Sequence, residues 1–175
     1  MVTITISGTP GSGKSTVAKI ISEKLGLKYI YSGDIFRKTA KKFNMSLELL
    51  GNYCEEHEEI DRELDDYQLK IIKNGSAVVE GRIAGWLAHQ NQIQAFKVML
   101  IADIDIRVQR IVTREDGNAE KRKIEMMKRE QSEEKRYKAY YDIDIKDTSI
   151  YDLVIDSSNK IPEEIVKIII DKIQE

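Results

Sequence analysis

Apolar positions along this chain follow two periods, and the places where the period changes divide it into elements. Val2-Thr3-Ile4-Thr5-Ile6-Ser7 is almost entirely β-branched and runs into a glycine cluster, which predicts a strand. Val17, Ile20, Ile21 and Leu25 then recur at helical spacing, with Gly26 in the C-cap position. Leu27 to Tyr31 is a second strand closed by Ser32-Gly33, and from Ile35 to about Asn44 the pattern is helical again, with a basic face. Two highly charged helices follow, over Leu47–Glu55 and Glu58–Lys73, the second ended by Asn74-Gly75. Ala77-Val78-Val79, Phe96–Ala102 and Asp152–Ile155 complete a set of five strands. Helical stretches near Ile104–Arg114 and Ala119–Tyr140 separate the last two, and Pro162 suits the first turn of a final helix. Strands alternating with helices imply right-handed crossovers, so the expected fold is α/β: a five-stranded parallel sheet with helices on both faces.

Composition narrows the class. A chain of 175 residues suits a single domain, 1–175. With 41% hydrophobic and 33% charged residues it is too apolar for a disordered tail and too polar for a membrane protein. No run approaches the ~18 apolar residues of a spanning helix. Met1 leads straight into the strand pattern rather than into a basic, apolar leader, so a cytoplasmic protein is expected. A net charge of -2 supplies no global field for a polyanion, which argues against nucleic acid as a partner. Cys54, the lone cysteine, excludes an intramolecular disulfide and a cysteine zinc cluster, and in its helical pattern it reads as a small apolar residue.

Between the first strand and the first helix stands Gly8-Thr9-Pro10-Gly11-Ser12-Gly13-Lys14-Ser15, the pattern G-x-x-x-x-G-K-[ST] in the one context that gives it a mechanism. Its glycines let main-chain amides turn toward a polyphosphate, and the helix N-terminus adds its dipole. Lys14 reaches the outer phosphates and the Ser15 hydroxyl is suited to Mg²⁺. The motif implies a nucleoside triphosphate without saying what is done with it. A regulatory GTPase needs N-K-x-D and D-x-x-G; the single Asn-Lys pair is Asn159-Lys160-Ile161-Pro162, and no D-x-x-G occurs. A small-molecule kinase is the leading class, with a slowly hydrolysing nucleotide-binding module as the rival from another class.

The second strand and turn, Tyr31-Ser32-Gly33-Asp34-Ile35-Phe36-Arg37, bring Arg37 to the sheet edge that carries the phosphate loop, and the third strand delivers Glu80-Gly81-Arg82 there too. Arg37 and Arg82 could clamp an acceptor phosphate, and Glu80 could hold a Mg²⁺-bound water. Arg110 and Arg114 share a helix face. Arg122, Arg129 and Arg136 recur every seven residues. Either they belong to a surface laced with Glu125, Glu130, Glu133 and Glu134, or they are lid arginines that neutralise a moving phosphoryl group. The segment 115–119 is a plausible mobile loop. Asp61, Arg62 and Asp65 offer the carboxylate and donor that cytosine asks for, yet they also make an ordinary charged helix face. Trp86, Tyr137, Tyr140 and Tyr141 suit packing as well as base stacking.

The phosphate loop, the Ser-Gly-Asp-Ile-Phe-Arg turn and Arg110-x-x-x-Arg114 ahead of a short lid resemble nucleoside monophosphate kinases. The combination of Ile60-Asp61-Arg62-Glu63-Leu64-Asp65, Val79-Glu80-Gly81-Arg82-Ile83-Ala84-Gly85-Trp86, Arg136-Tyr137 with Tyr140-Tyr141, and Tyr151-Asp152-Leu153-Val154-Ile155-Asp156 is similar to the archaeal type of cytidylate kinase over nearly the whole chain. The resemblance implies a P-loop NTPase fold with a small acceptor-binding helical region at about 33–74 and a short lid at about 114–136. It implies Mg²⁺-dependent transfer from ATP to CMP, and to dCMP, by a monomeric enzyme with nucleotides as its partners; AMP, UMP or a hydroxyl compound such as shikimate remain alternative acceptors. Under it Gly8 to Thr16 hold ATP, with Arg110 near the adenine and Arg114 near its phosphates. Ser32, Arg37, Gly81 and Arg82 take the acceptor, with Asp61 and Arg62 toward its base, while Arg129 and Arg136 meet the transferring group. Two departures stand out. Arg82 lies two positions earlier than its counterpart in adenylate kinases, and Tyr141-Asp142 replaces an expected Tyr-Gly.

Overall fold

The computed structural model describes residues 2–175. Its elements in chain order are β1 (Ile4–Gly8), α1 (Lys14–Leu25), β2 (Lys28–Tyr31), α2 (Ser32–Lys42), α3 (Leu47–Cys54), α4 (Glu58–Asn74), β3 (Ala77–Glu80), α5 (Ala84–Gln90), β4 (Phe96–Ile101), α6 (Ile104–Glu115), α7 (Ala119–Tyr141), β5 (Leu153–Asp156) and α8 (Pro162–Gln174). The five strands form one parallel sheet in the order β2-β3-β1-β4-β5. Strand β1 is central, paired to β3 through Ile4↔Val78 and to β4 through Ile4↔Phe96, and every residue of it is buried. The β-branched opening run is therefore explained: both of its faces are covered, as a parallel sheet requires.

Two apolar layers flank the sheet. One packs Ile4, Ile6, Val17 and Ile21 against Val166 and Ile169 of α8; the other gathers Ile30, Ile72, Val79, Leu87 and Ile143. A smaller cluster of Ala40, Leu50 and Cys54 joins α2 to α3, so the lone cysteine is a buried packing residue whose thiol is pushed up to about 11, first by burial. The order of strands reverses direction at β1, so the carboxyl ends of β1 and β3 open a crevice where ligands bind in such sheets.

Three local differences from the sequence reading have physical causes. Helix α2 begins at Ser32 rather than Ile35, because the Ser32 hydroxyl donates to the Glu80 carbonyl at 2.8 Å and draws the turn into the helix. Helix α5 has only 7 residues, too few for a period to emerge in the sequence. Asp142 ends α7 at φ 54, ψ 33, so it takes the left-handed C-cap conformation expected of glycine and the turn survives the substitution.

Candidate active site

The loop between β1 and α1 is held from outside by its carbonyls. Arg82 Nη1 donates to the Gly8 carbonyl at 3.1 Å, Lys14 Nζ to Thr9 at 2.8 Å, Arg107 Nη1 to Pro10 at 3.4 Å and Arg110 Nη1 to Gly11 at 3.3 Å. The Ser157 hydroxyl donates to Ser12 at 2.8 Å, and the Val17 amide to Gly13 at 3.2 Å. Of these six consecutive carbonyls, four are satisfied by side chains from far along the chain, Thr9 by the loop's own lysine and Gly13 by the first helical bond of α1, and the first-turn amides of α1 remain as donors without a helical partner. Gly11 is required for this fit: at φ +77, a Cβ there would meet the Arg107 main chain at 2.7 Å.

In front of the loop lies an open cleft. Lys14, Ser15 and Thr16 line one wall; Ser32, Arg37, Gly81 and Arg82 line another; Arg114, Arg129 and Arg136 enter from α6 and α7. Side chains from as far apart as Tyr31 and Tyr137 thus converge on the phosphate loop, with Arg37, Glu80 and Arg82 among them, as the sheet-edge argument expected. Glu80 accepts from the Ser15 hydroxyl at 2.9 Å and from the Tyr29 hydroxyl at 2.7 Å. A hydroxyl and a carboxylate so close together are hard oxygen donors that fit Mg²⁺. Among the described residues no group of three or more His, Cys, Asp or Glu side chains could hold a metal by itself, so such an ion would take its other ligands from substrate phosphate and water.

The cationic cluster, with Lys14 and Arg136 buried and Arg82 and Arg129 half-buried, carries its own counter-charges. Lys14 is held well below its ordinary value, first by burial and then by the Arg82 guanidinium. Arg136, only 3% exposed, pairs with Asp61, itself 4% exposed, and lies over the Phe36 and Tyr137 rings. Burial raises the Asp61 carboxyl despite that partner. Glu133 is the sharpest departure from a surface charge: it is 4% exposed and accepts from Arg82 Nε at 2.7 Å and Arg129 Nε at 3.0 Å. Burial alone would raise its carboxyl, but the Arg82 and Arg129 guanidiniums outweigh that and hold it at about 2.

The far end of the cleft is polar and desolvated. Asp65 accepts from Gln68 Nε2 at 2.9 Å and from the Tyr141 hydroxyl at 2.9 Å, and burial pushes its carboxyl up to about 7. The Gln68 side chain is 2% exposed and its Oε1 has no hydrogen-bond partner. A Cβ on Gly81 would collide with that Oε1 and with the Ser32 hydroxyl, so glycine at 81 leaves room for the amide. Asp61 and Asp65 are therefore not an exposed helix face.

Several sequence candidates sit elsewhere. Arg62 donates to Glu58 and to the Tyr140 carbonyl and is not among the residues lining the cleft. Arg110 stands behind the loop, held by the Ser157 hydroxyl at 3.1 Å and its carbonyl at 2.7 Å. Arg122 braces the connection between α6 and α7, donating to the Glu115 and Asp116 carbonyls. Tyr140 donates to the Cys54 carbonyl at 2.5 Å, a packing role. Arg37 and Arg114 do line the cleft, Arg37 donating to the Tyr31 hydroxyl and Arg114 paired with its neighbour Glu115 in an exposed position. The sequence reading did not single out Arg107, Gln68 or Tyr29, and it offered Glu133 only as part of the surface alternative for the arginine stripe; each is a common residue type whose role comes from a partner far along the chain.

Comparisons with known proteins agree with this geometry. Residues 3–159 match the model of the cytidylate kinase-like family. The chain is 45% identical over 156 residues to a cytidylate kinase of Methanocaldococcus jannaschii, covering 89% of this chain and 88% of the relative. It is 44% identical over 166 residues to a cytidylate kinase of Pyrococcus horikoshii, covering 95% and 85% respectively. Among solved structures, a shikimate kinase from Acinetobacter baumannii superposes with a TM-score of 0.63 at 14% identity, over 99% of this chain and 93% of that one, which speaks to the fold alone.

Proposed function

This chain belongs to the cytidylate kinase-like family, and from that premise we propose that it transfers the γ-phosphoryl group of ATP to the phosphate of CMP, and of dCMP, with Mg²⁺. The observation that carries this reading is the cleft itself: a phosphate loop with Lys14 and Ser15 faces guanidinium groups from three different elements, with a buried carboxylate and amide beyond them.

The acceptor is already anionic, so no general base is needed; the residues must align two phosphates and offset their repulsion. Residues 8 to 16 and Lys14 hold the donor phosphates, and Arg110, fixed against Ser157, borders the donor nucleoside. Arg37 and Arg82, with Ser32 and Gly81 beside them, hold the acceptor phosphate. Arg114, Arg129 and Arg136 neutralise charge that develops on the group in flight. Ser15 and Glu80 are the residues that would hold Mg²⁺, which when bound draws charge from the phosphate oxygens. Residues of about 33–74 form the acceptor-binding region and about 114–136 the lid, whose closure excludes the water that would otherwise receive the phosphoryl group.

Base choice falls to the far end of the cleft. Cytosine offers an exocyclic amino donor where uracil offers a carbonyl. The unpartnered Gln68 Oε1 and the Asp65 carboxylate are acceptors matched to that donor. A coupled assay with ATP, Mg²⁺ and a panel of CMP, dCMP, UMP, AMP and shikimate tests the assignment: CMP and dCMP rank first, and AMP or shikimate ranking above CMP overturns it.

A further inference from the structure

Helix α7 carries four glutamates between Glu125 and Glu134, and by sequence nothing separates Glu133 from the others. In the fold it is the one inserted into the cluster of Lys14, Arg82, Arg129 and Arg136. Each of its oxygens takes one arginine, and each arginine gives its Nε. An arginine carries five N–H donors, so spending Nε on Glu133 leaves the terminal nitrogens for other partners. Arg82 uses Nη1 on the Gly8 carbonyl, so a single guanidinium connects the α7 carboxylate to the phosphate loop. One helical turn earlier Glu130 pairs with Arg107 in a different way: it takes Nη1, the nitrogen that also reaches the Pro10 carbonyl at 3.4 Å, and leaves Nε without a partner.

We propose that Glu133 is a positioning residue of the phosphoryl-transfer site, clamping Arg82 and Arg129 by their Nε edges so that both guanidiniums are set for phosphate before either nucleotide arrives. The inference rests on the kinase reading of the cleft. Arg82 and Arg129 are like charges sharing one partly desolvated space, and without an anion between them each would be driven toward a separate rotamer. Ordering them would then fall on the reaction step. Glu133 removes that reorganisation in advance, which is the way preorganised charges accelerate transfer. It also places a negative charge beside the guanidinium edges left for phosphate, so it weakens binding of anions in the ground state. A group that costs binding and favours turnover has a kinetic signature unlike that of a structural strut.

The test is Glu133→Gln, which preserves shape and removes the charge. Once a wild-type circular dichroism spectrum shows that it is folded, kcat and KM are measured with whichever acceptor the wild-type enzyme uses, so a different acceptor in the panel leaves the test intact. Affinity for inorganic pyrophosphate, which needs no acceptor, is read by calorimetry. The expected result is a fall in kcat of about tenfold or more, no rise in either KM, and pyrophosphate bound about fivefold or more tighter. Unchanged kcat, or lower kcat with pyrophosphate binding unchanged or weaker, overturns the proposal. If the variant does not fold, Glu133→Asp keeps the charge but is too short to span both arginines. It should lower kcat about fivefold or more with pyrophosphate affinity within about twofold of wild type, and wild-type kcat or a larger change in affinity overturns the proposal.

Discussion

The Asp61–Arg136 pair gives the sharpest test of the buried electrostatics, because its two halves should fail differently. Both side chains are almost fully buried, so Asp61→Asn leaves a guanidinium without its partner in a poorly solvated place. Removing one partner of such a pair costs about 3–5 kcal/mol, and the lower end applies because Glu133 also faces Arg136. For a chain of this length that is a fall in Tm of about 6–12 °C. Arg136→Met strands a carboxylate instead, and a carboxylate can take up a proton whereas a guanidinium cannot release one. Its electrostatic cost is therefore capped at ~1.36 kcal/mol for each pH unit above the ordinary value of 3.8. The ceiling is about 2 kcal/mol near pH 5.5 and about 6 kcal/mol near pH 8. The sign follows from linkage: a carboxyl raised by burial binds its proton more tightly folded than unfolded, so stability falls as pH climbs away from 3.8. Urea unfolding should accordingly find Asp61→Asn weaker than Arg136→Met near pH 5.5, with the gap closing or reversing near pH 8. The double variant should recover at least half of the Asp61→Asn loss, since neutral partners strand no charge. Equal losses for the two single variants at both pH values, or a double variant as unstable as their sum, would refute the reasoning.

Two further outcomes follow from the cleft. Lys14→Met and Arg129→Met should each lower turnover about 10²–10³-fold. Lys14→Met should unfold no more easily than wild type, because burial already disfavours the Lys14 ammonium; a markedly lower Tm would count against that account. The Asp65 carboxyl, pushed up to about 7 by burial, becomes a full acceptor only above that pH, so kcat/KM for CMP should rise through about pH 7. Asp65→Asn should lack this step while keeping the one from the acceptor phosphate near pH ~6, and a pH profile unchanged by the substitution would remove Asp65 from base recognition.

What was legible in the sequence is what depends on neighbours along the chain. The phosphate loop is contiguous, the strands and helices declare themselves by period, and strand ends that share a sheet edge bring Arg37, Glu80 and Arg82 together. These features need only local backbone preferences and the handedness of crossovers. The tertiary structure alone decided which charges are buried. Asp61 meets Arg136 across 75 positions, Arg82 meets Glu133 across 51, and Arg107 reaches Pro10 across 97. A glutamate on an exposed helix face and one wedged between two arginines are the same letter at the same spacing. What separates them is the local dielectric and the distance to opposite charge, and neither exists until the chain has closed on itself.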